Sequence, residues 1–111
     1  MGLNAIKLCQ GIELDNINKI IIDQLIRSAT SVGANYMEAN GASSRRDFKN
    51  KIHICKKECQ ETKHWLKMFS LCEPRQKDKI AEVWKEAQQL TLIFGKIIST
   101  LNRKSELRIR N

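Results

Sequence analysis

The chain has 111 residues, of which 41% are hydrophobic and 29% charged, with a formal net charge of +8. This length fits one domain with one core, and the composition excludes a disordered chain. One proline and five glycines favour a few long helices over many short strands, and no apolar run is long enough to span a membrane.

Four helical segments are predicted. The first covers about Leu3 to Gln10, with Leu3, Ile6 and Cys9 as its apolar side, and stops at Gly11. The second runs from Asn16, a capping residue, to about Ala39, where Asn40-Gly41 closes it and Gly41 is expected to be left-handed. Its apolar row is Ile22, Leu25, Ala29, Val32, Tyr36 and Ala39; beside it Ser28, Ser31, Asn35 and Glu38 form a polar arc that lets another helix approach closely. Ser44 and Asp47 form an approximate capping box for the third helix, which extends to about Leu71 along Phe48, Ile52, Cys55, Cys59, Thr62, Leu66 and Phe69. Pro74 suits the first position of the fourth helix, whose row is Ile80, Val83, Ala87, Leu90, Phe94, Ile97 and Leu101. From about residue 102 the chain reads as a basic tail. These elements predict an all-α fold, a single domain over 1–111 built as an antiparallel four-helix bundle with a short first helix.

The third and fourth helices carry more apolar surface than one seam uses. Ile54, Trp65, Met68 and Cys72 form a second row on the third helix, and Trp84, Thr91 and Ile98 on the fourth. Contiguous apolar surface marks an interface, so Trp65, Met68, Trp84 and Ile98 are expected in contacts between copies of the chain. Glu61 shares the second row and is expected to be at least partly buried. It then needs a partner, Arg27 first and Asn35 second.

Positive charge is concentrated. Residues 45 to 79 hold eleven basic against five acidic side chains, and residues 96 to 111 hold five against one. Lys49, Lys56 and Lys63 recur every seven residues, interleaved by His53, Gln60 and Lys67, with no acidic member. Such a stripe is either a solvated face or an attractor for polyanions. With Arg45 and Arg46 it forms the candidate nucleic-acid-binding set Arg45, Arg46, Lys49, Lys56, Lys63 and Lys67. None of the six aromatic residues interrupts the stripe, so sequence-independent phosphate contacts are expected.

Catalytic patterns are incomplete. Cys55 and Cys59 lie one turn apart near His53 and His64, but both occupy core positions where a reduced thiol behaves as a small hydrophobe. There is no Cys-x-x-Cys pair. Glu61-x-x-His64 has the spacing of di-iron bundles, yet the fourth helix offers Glu82 and Glu86 without a histidine. No phosphate loop or nucleophile–base pair can be assembled, so neither a reaction nor a metal or cofactor is expected. The start shows no signal-peptide pattern, and Ile6 stands where a myristoylation site needs Ser or Thr; with unpaired thiols this points to the cytoplasm.

The segment Gln24 to Phe48 resembles the 23S rRNA intervening-sequence family of four-helix-bundle proteins. The likeness rests on Arg27, Ser31, Asn35, Glu38, Gly41, Arg46 and Phe48, with Glu61 matching a glutamate of that family's third helix. The first helix is shorter than usual in the family, and Ala39 and Ala42 replace a glycine and an arginine common after the motif glutamate. The resemblance implies a homopentamer. It also implies a link to accessory variability proteins of diversity-generating retroelements, which bind nucleic acid and a reverse transcriptase through a basic surface. The expectation is therefore a non-enzymatic, self-associating protein that binds RNA or DNA, with a protein-interaction scaffold as the alternative.

Overall fold

Side-chain chemistry at the helix ends sets where each element starts and stops in the computed structural model, which describes residues 1–110, with side chains through Leu107. The elements are α1 (Gly2–Cys9), α2 (Asn18–Asn40), α3 (Arg45–Cys72), a 3-10 turn (Pro74–Gln76) and α4 (Lys77–Arg110). The chain leaves α1 through Gly11, whose φ of 81° places it in the region glycine tolerates. Asp15, rather than Asn16, caps α2: its Oδ1 accepts from the amides of Ile17 and Asn18, both at 2.8 Å. Asn18 is itself buried, taking the Asp15 amide at 2.8 Å and donating to the Glu13 carbonyl and the Glu73 carboxylate. One amide side chain thus ties the α1–α2 loop to the end of α3.

Gly41 differs from expectation. Its φ is −94°, and α2 ends by tightening, with the Gly41 amide donating to the Met37 and Glu38 carbonyls. At the start of α3, the Ser44 hydroxyl accepts from the Asp47 amide at 3.0 Å, half of the expected reciprocal cap. Pro74 falls in the 3-10 turn and α4 begins three residues later. The segment read as a tail continues α4 to Arg110, and Asn111 lies outside the described residues.

The architecture is an all-α four-helix bundle with a short first helix. The helix α3 is central, packed on α2 along one flank and on α4 along the other, while α1 lies against α2 and touches α4. Leu25, Ile52, Leu66 and Phe69 are fully buried, each worth about 1.5–3 kcal/mol relative to exposure. On α1 the buried residues are Ala5 and Leu8, and Leu3 is 64% exposed, so the short helix is rotated from the expected face. On α4 the buried row runs Ile80, Val83, Ala87, Thr91, Phe94, Ile98. It repeats at eleven residues, or about 3.67 per turn, whereas the expected row assumed seven, or about 3.5 per turn; the two share Ile80, Val83, Ala87 and Phe94 and differ at the other positions. Leu90, Ile97 and Leu101 are consequently half-buried. Ile98, expected between copies, is core. No helix among the described residues is long and apolar enough to cross a membrane.

Candidate nucleic-acid interface

Seven-residue spacing along α3 sorts its charged side chains to two flanks of the buried row. One flank carries Lys51, Glu58, Glu61, Trp65 and Met68; the other carries Lys49, Lys56, Lys63 and Lys67.

The first flank meets α2. Arg27 bridges to Glu58 at 3.3 Å and also to Glu61, and Lys51 pairs with Glu38 at 2.6 Å. Partial burial pushes the Glu61 carboxyl up, but hydrogen bonds from Arg27 and from the Trp65 indole outweigh it and hold the group below the usual range. The Arg27 guanidinium is raised in turn, chiefly by its bond to Glu61. The pairing of Arg27 with Glu61 is as expected, but Glu61 keeps 32% of its side chain exposed while Glu58 keeps 9%. Glu58 is therefore the more deeply buried carboxylate, and sequence reasoning missed it. Nearby, the Ser28 and Thr62 hydroxyls meet at 3.0 Å in the interior, where small side chains let α2 and α3 approach. Asn35 donates to the Ser31 carbonyl at 2.8 Å instead of meeting Glu61. The residues Arg27, Ser31, Asn35, Glu38 and Glu61 thus serve α2 itself and its contact with α3.

The second flank faces α4, where carboxylates give way to lysines. Lys56 Nζ lies beside Gly95, close enough that a Cβ built there would meet it at 3.8 Å. Lys63 Nζ donates to the Gln88 side chain at 2.6 Å and lies 5.6 Å from the Trp84 ring centre. One turn further, Lys67 joins Lys77 and Lys85 around a cavity of about 440 Å³ with Trp84 at its side and Leu66 and Ile80 in its floor. No carboxylate lines it. Lys49 continues this face, and Arg45 and Arg46 are exposed at the first turn of α3. That turn is about 25 Å along the axis from Lys63. The structure therefore sets Lys56, Lys63 and Lys67 along the α4-facing flank of α3, with Lys67 alone of the three lining the cavity and the two arginines at the far end of the helix.

Three members of the groove were not anticipated there: Lys77, Lys85 and Trp84, all from α4. Their mutual spacing of seven, eight and one places them on one side of α4, a signal present in the sequence. Trp84 is 39% exposed. It therefore interrupts the lysines from the neighbouring helix, contrary to the expectation of a basic stripe without an aromatic. The four residues expected in contacts between copies lie on different parts of the bundle. Trp65 and Met68 lie on the α2 flank of α3, Trp84 on the α4 flank, and Ile98 inside.

No group of three potential metal-binding side chains converges among the described residues. His64 is exposed and packs edge-on to Trp65. Cys55 and Cys59 are buried, and burial pushes the Cys59 thiol up to about 12.

No curated relative matches the chain. A solved structure of a protein of unknown function from the S23 ribosomal protein family of Bacteroides thetaiotaomicron VPI-5482 is similar, with a TM-score of 0.75 and 30% identity over 87% of each chain. Residues 3–96 match the model of the 23S rRNA-intervening sequence protein family, and their helices are those that carry the paired α2–α3 flank and the basic groove. The chain belongs to the 23S rRNA-intervening sequence protein family.

Proposed function

We propose that this protein is a non-enzymatic, self-associating accessory protein that binds RNA or DNA through the basic α3–α4 flank. The observation that carries the reading is the segregation of charge across α3: its glutamates are turned to Arg27 on α2, while Lys56 and Lys63 face α4 and Lys67, Lys77 and Lys85 surround a groove that no carboxylate lines. A single-sign groove of this kind attracts phosphates from a distance and holds them without regard to base. Exposed Leu14, Ile17, Ile20 and Leu71 support self-association, and the pentamer is the assembly the family likeness suggests. Four free cysteines suit the reducing cytoplasm.

A salt titration tests the reading, with wild type and the Lys49→Ala, Lys56→Ala, Lys63→Ala triple variant against one duplex and one single-stranded RNA. Each phosphate contact contributes about 0.7–0.9 to the slope of log affinity against log salt, so the triple variant flattens it by about two to three per engaged subunit. Light scattering on the same samples reports the assembly. An unchanged slope assigns the lysines to solvation and favours a scaffold that meets an acidic protein, such as a reverse transcriptase. The exposed apolar Met37, Leu92 and Ile93 would suit that scaffold.

A further inference from the structure

At the Trp84 groove an aromatic ring, an apolar floor and lysines with no lining carboxylate coincide. We propose that it is a base-stacking subsite for single-stranded nucleic acid, in which an unpaired base packs against Trp84 while Lys67, Lys77 and Lys85 hold the flanking phosphates. The inference rests on the nucleic-acid reading above and deepens it, since phosphate contacts alone do not distinguish a single strand from a duplex.

The geometry supports each part. Lys63 stands over the indole with Nζ 5.6 Å from its centre, and its bond to Gln88 holds it there. The cavity opens one turn away, among Lys67 and Ser70 of α3 and Lys77 and Ala81 of α4, so the ring that neighbours Lys63 also borders an open space. That space, about 440 Å³, falls in the range of small-ligand sites. Leu66 and Ile80 make its floor apolar, suited to the face of a base, and the small Ala81 leaves room beside the ring. Three ammonium groups at the rim with no lining carboxylate match the spaced negative charges of a phosphodiester chain. A duplex keeps its base faces stacked on each other, so only an unpaired base can use the ring. Two like copies meeting across this groove would instead oppose their lysines.

The test compares a single-stranded RNA oligomer, the same oligomer with abasic positions, and a duplex, each bound to wild type, Trp84→Ala and Trp84→Phe. Trp84→Ala should weaken the single strand by about tenfold or more, leave the duplex and the salt slope unchanged, and abolish the preference for bases over abasic sites. Trp84→Phe, which keeps a π face, should retain most of the affinity. Circular dichroism of both variants checks that the helices persist. If the lysine triple variant lowers binding but Trp84→Ala leaves the single strand unaffected, the stacking subsite is refuted and the phosphate-binding reading stands. If wild type binds neither nucleic acid, both fall. A change in oligomer mass for Trp84→Ala, with affinity per subunit unaltered, would assign the groove to a second copy of the chain and overturn the proposal.

Discussion

Removing Arg27 should cost more through Glu58 than through Glu61, although both carboxylates touch the same guanidinium. Glu58 exposes 9% of its side chain and Glu61 32%, while Arg27 itself exposes 44%. A hydrogen bond from a charged donor to a buried acceptor contributes about 1.5–3 kcal/mol, and a solvent-exposed ion pair about 0–1 kcal/mol. Arg27→Ala should therefore lose about 1.5–4 kcal/mol. This is less than the about 3–5 kcal/mol of a fully buried pair, because water reaches the exposed guanidinium. With a urea dependence of about 2 kcal/mol per molar, the midpoint should fall by about 1–2 M. Chemical denaturation of Arg27→Ala, Glu58→Gln, Glu61→Gln and the two doubles gives the coupling energies directly. All samples should share one protein concentration, so that any concentration dependence of stability is held constant. Coupling to Glu58 should exceed coupling to Glu61. The reverse order would refute the burial argument and make Glu61 the anchor.

Two further outcomes follow from buried or paired groups. Glu61 and Glu86 are both held below the usual carboxylate range despite partial burial, Glu61 by Arg27 and Trp65, Glu86 by the Met1 amine at 2.7 Å and by Asn4. Depressed groups contribute stability above their unfolded value of about 4.3 and lose it as pH falls through the folded value. Thermal unfolding should thus show a loss of stability below about pH 4.3, and Glu86→Gln should make that loss shallower; an identical profile would mean that Glu86 is solvated. Cys55 and Cys59 should resist alkylation in the folded protein at about pH 8, because burial keeps the Cys59 thiol near 12 and leaves little thiolate. Peptide mass spectrometry reads this out, and labelling of Cys59 at the rate of a free thiol would show that the α3 row is not packed as described.

Much of the bundle was legible because each long helix repeats its apolar residues at helical spacing. The row Ile52, Cys55, Cys59, Thr62, Leu66 and Phe69 is buried as read, and Arg27 meets Glu61 as read. What periodicity cannot supply is the offset of one helix along another. Glu58 and Glu61 differ by less than one turn, so which is buried depends on where α2 sits across α3. The same offset brings Trp84 beside Lys63, a neighbourhood invisible to either helix alone. On α4 a seven-residue row and an eleven-residue row share Ile80, Val83, Ala87 and Phe94, so periodicity alone does not choose Thr91 over Leu90 or Ile98 over Ile97. The left-handed turn was assigned to Gly41, whose Asn-Gly context suggests it, when Gly11 holds it. Asn18 escaped notice because a buried asparagine is recognised by its partners on the Glu13–Asp15 loop and at Glu73, not by its spacing.

The placement of α1 also shapes how the chain assembles. The α2–α3 and α3–α4 contacts join neighbours in sequence, so those helices can zip together with short loops to close. The helix α1 also packs on the adjacent α2, but its bonds to α4 span the chain, with Asn4 and the Met1 amine reaching Glu86. With eight residues and two buried side chains, α1 is the smallest cooperative unit. Its amides should therefore exchange with solvent before those of the three-helix body. The face of α4 that α1 covers, at Val83 and Glu86, lies away from the side that carries Lys77, Lys85 and Gln88. Fraying at α1 thus opens one side of the bundle while the lysine groove stays assembled on the other.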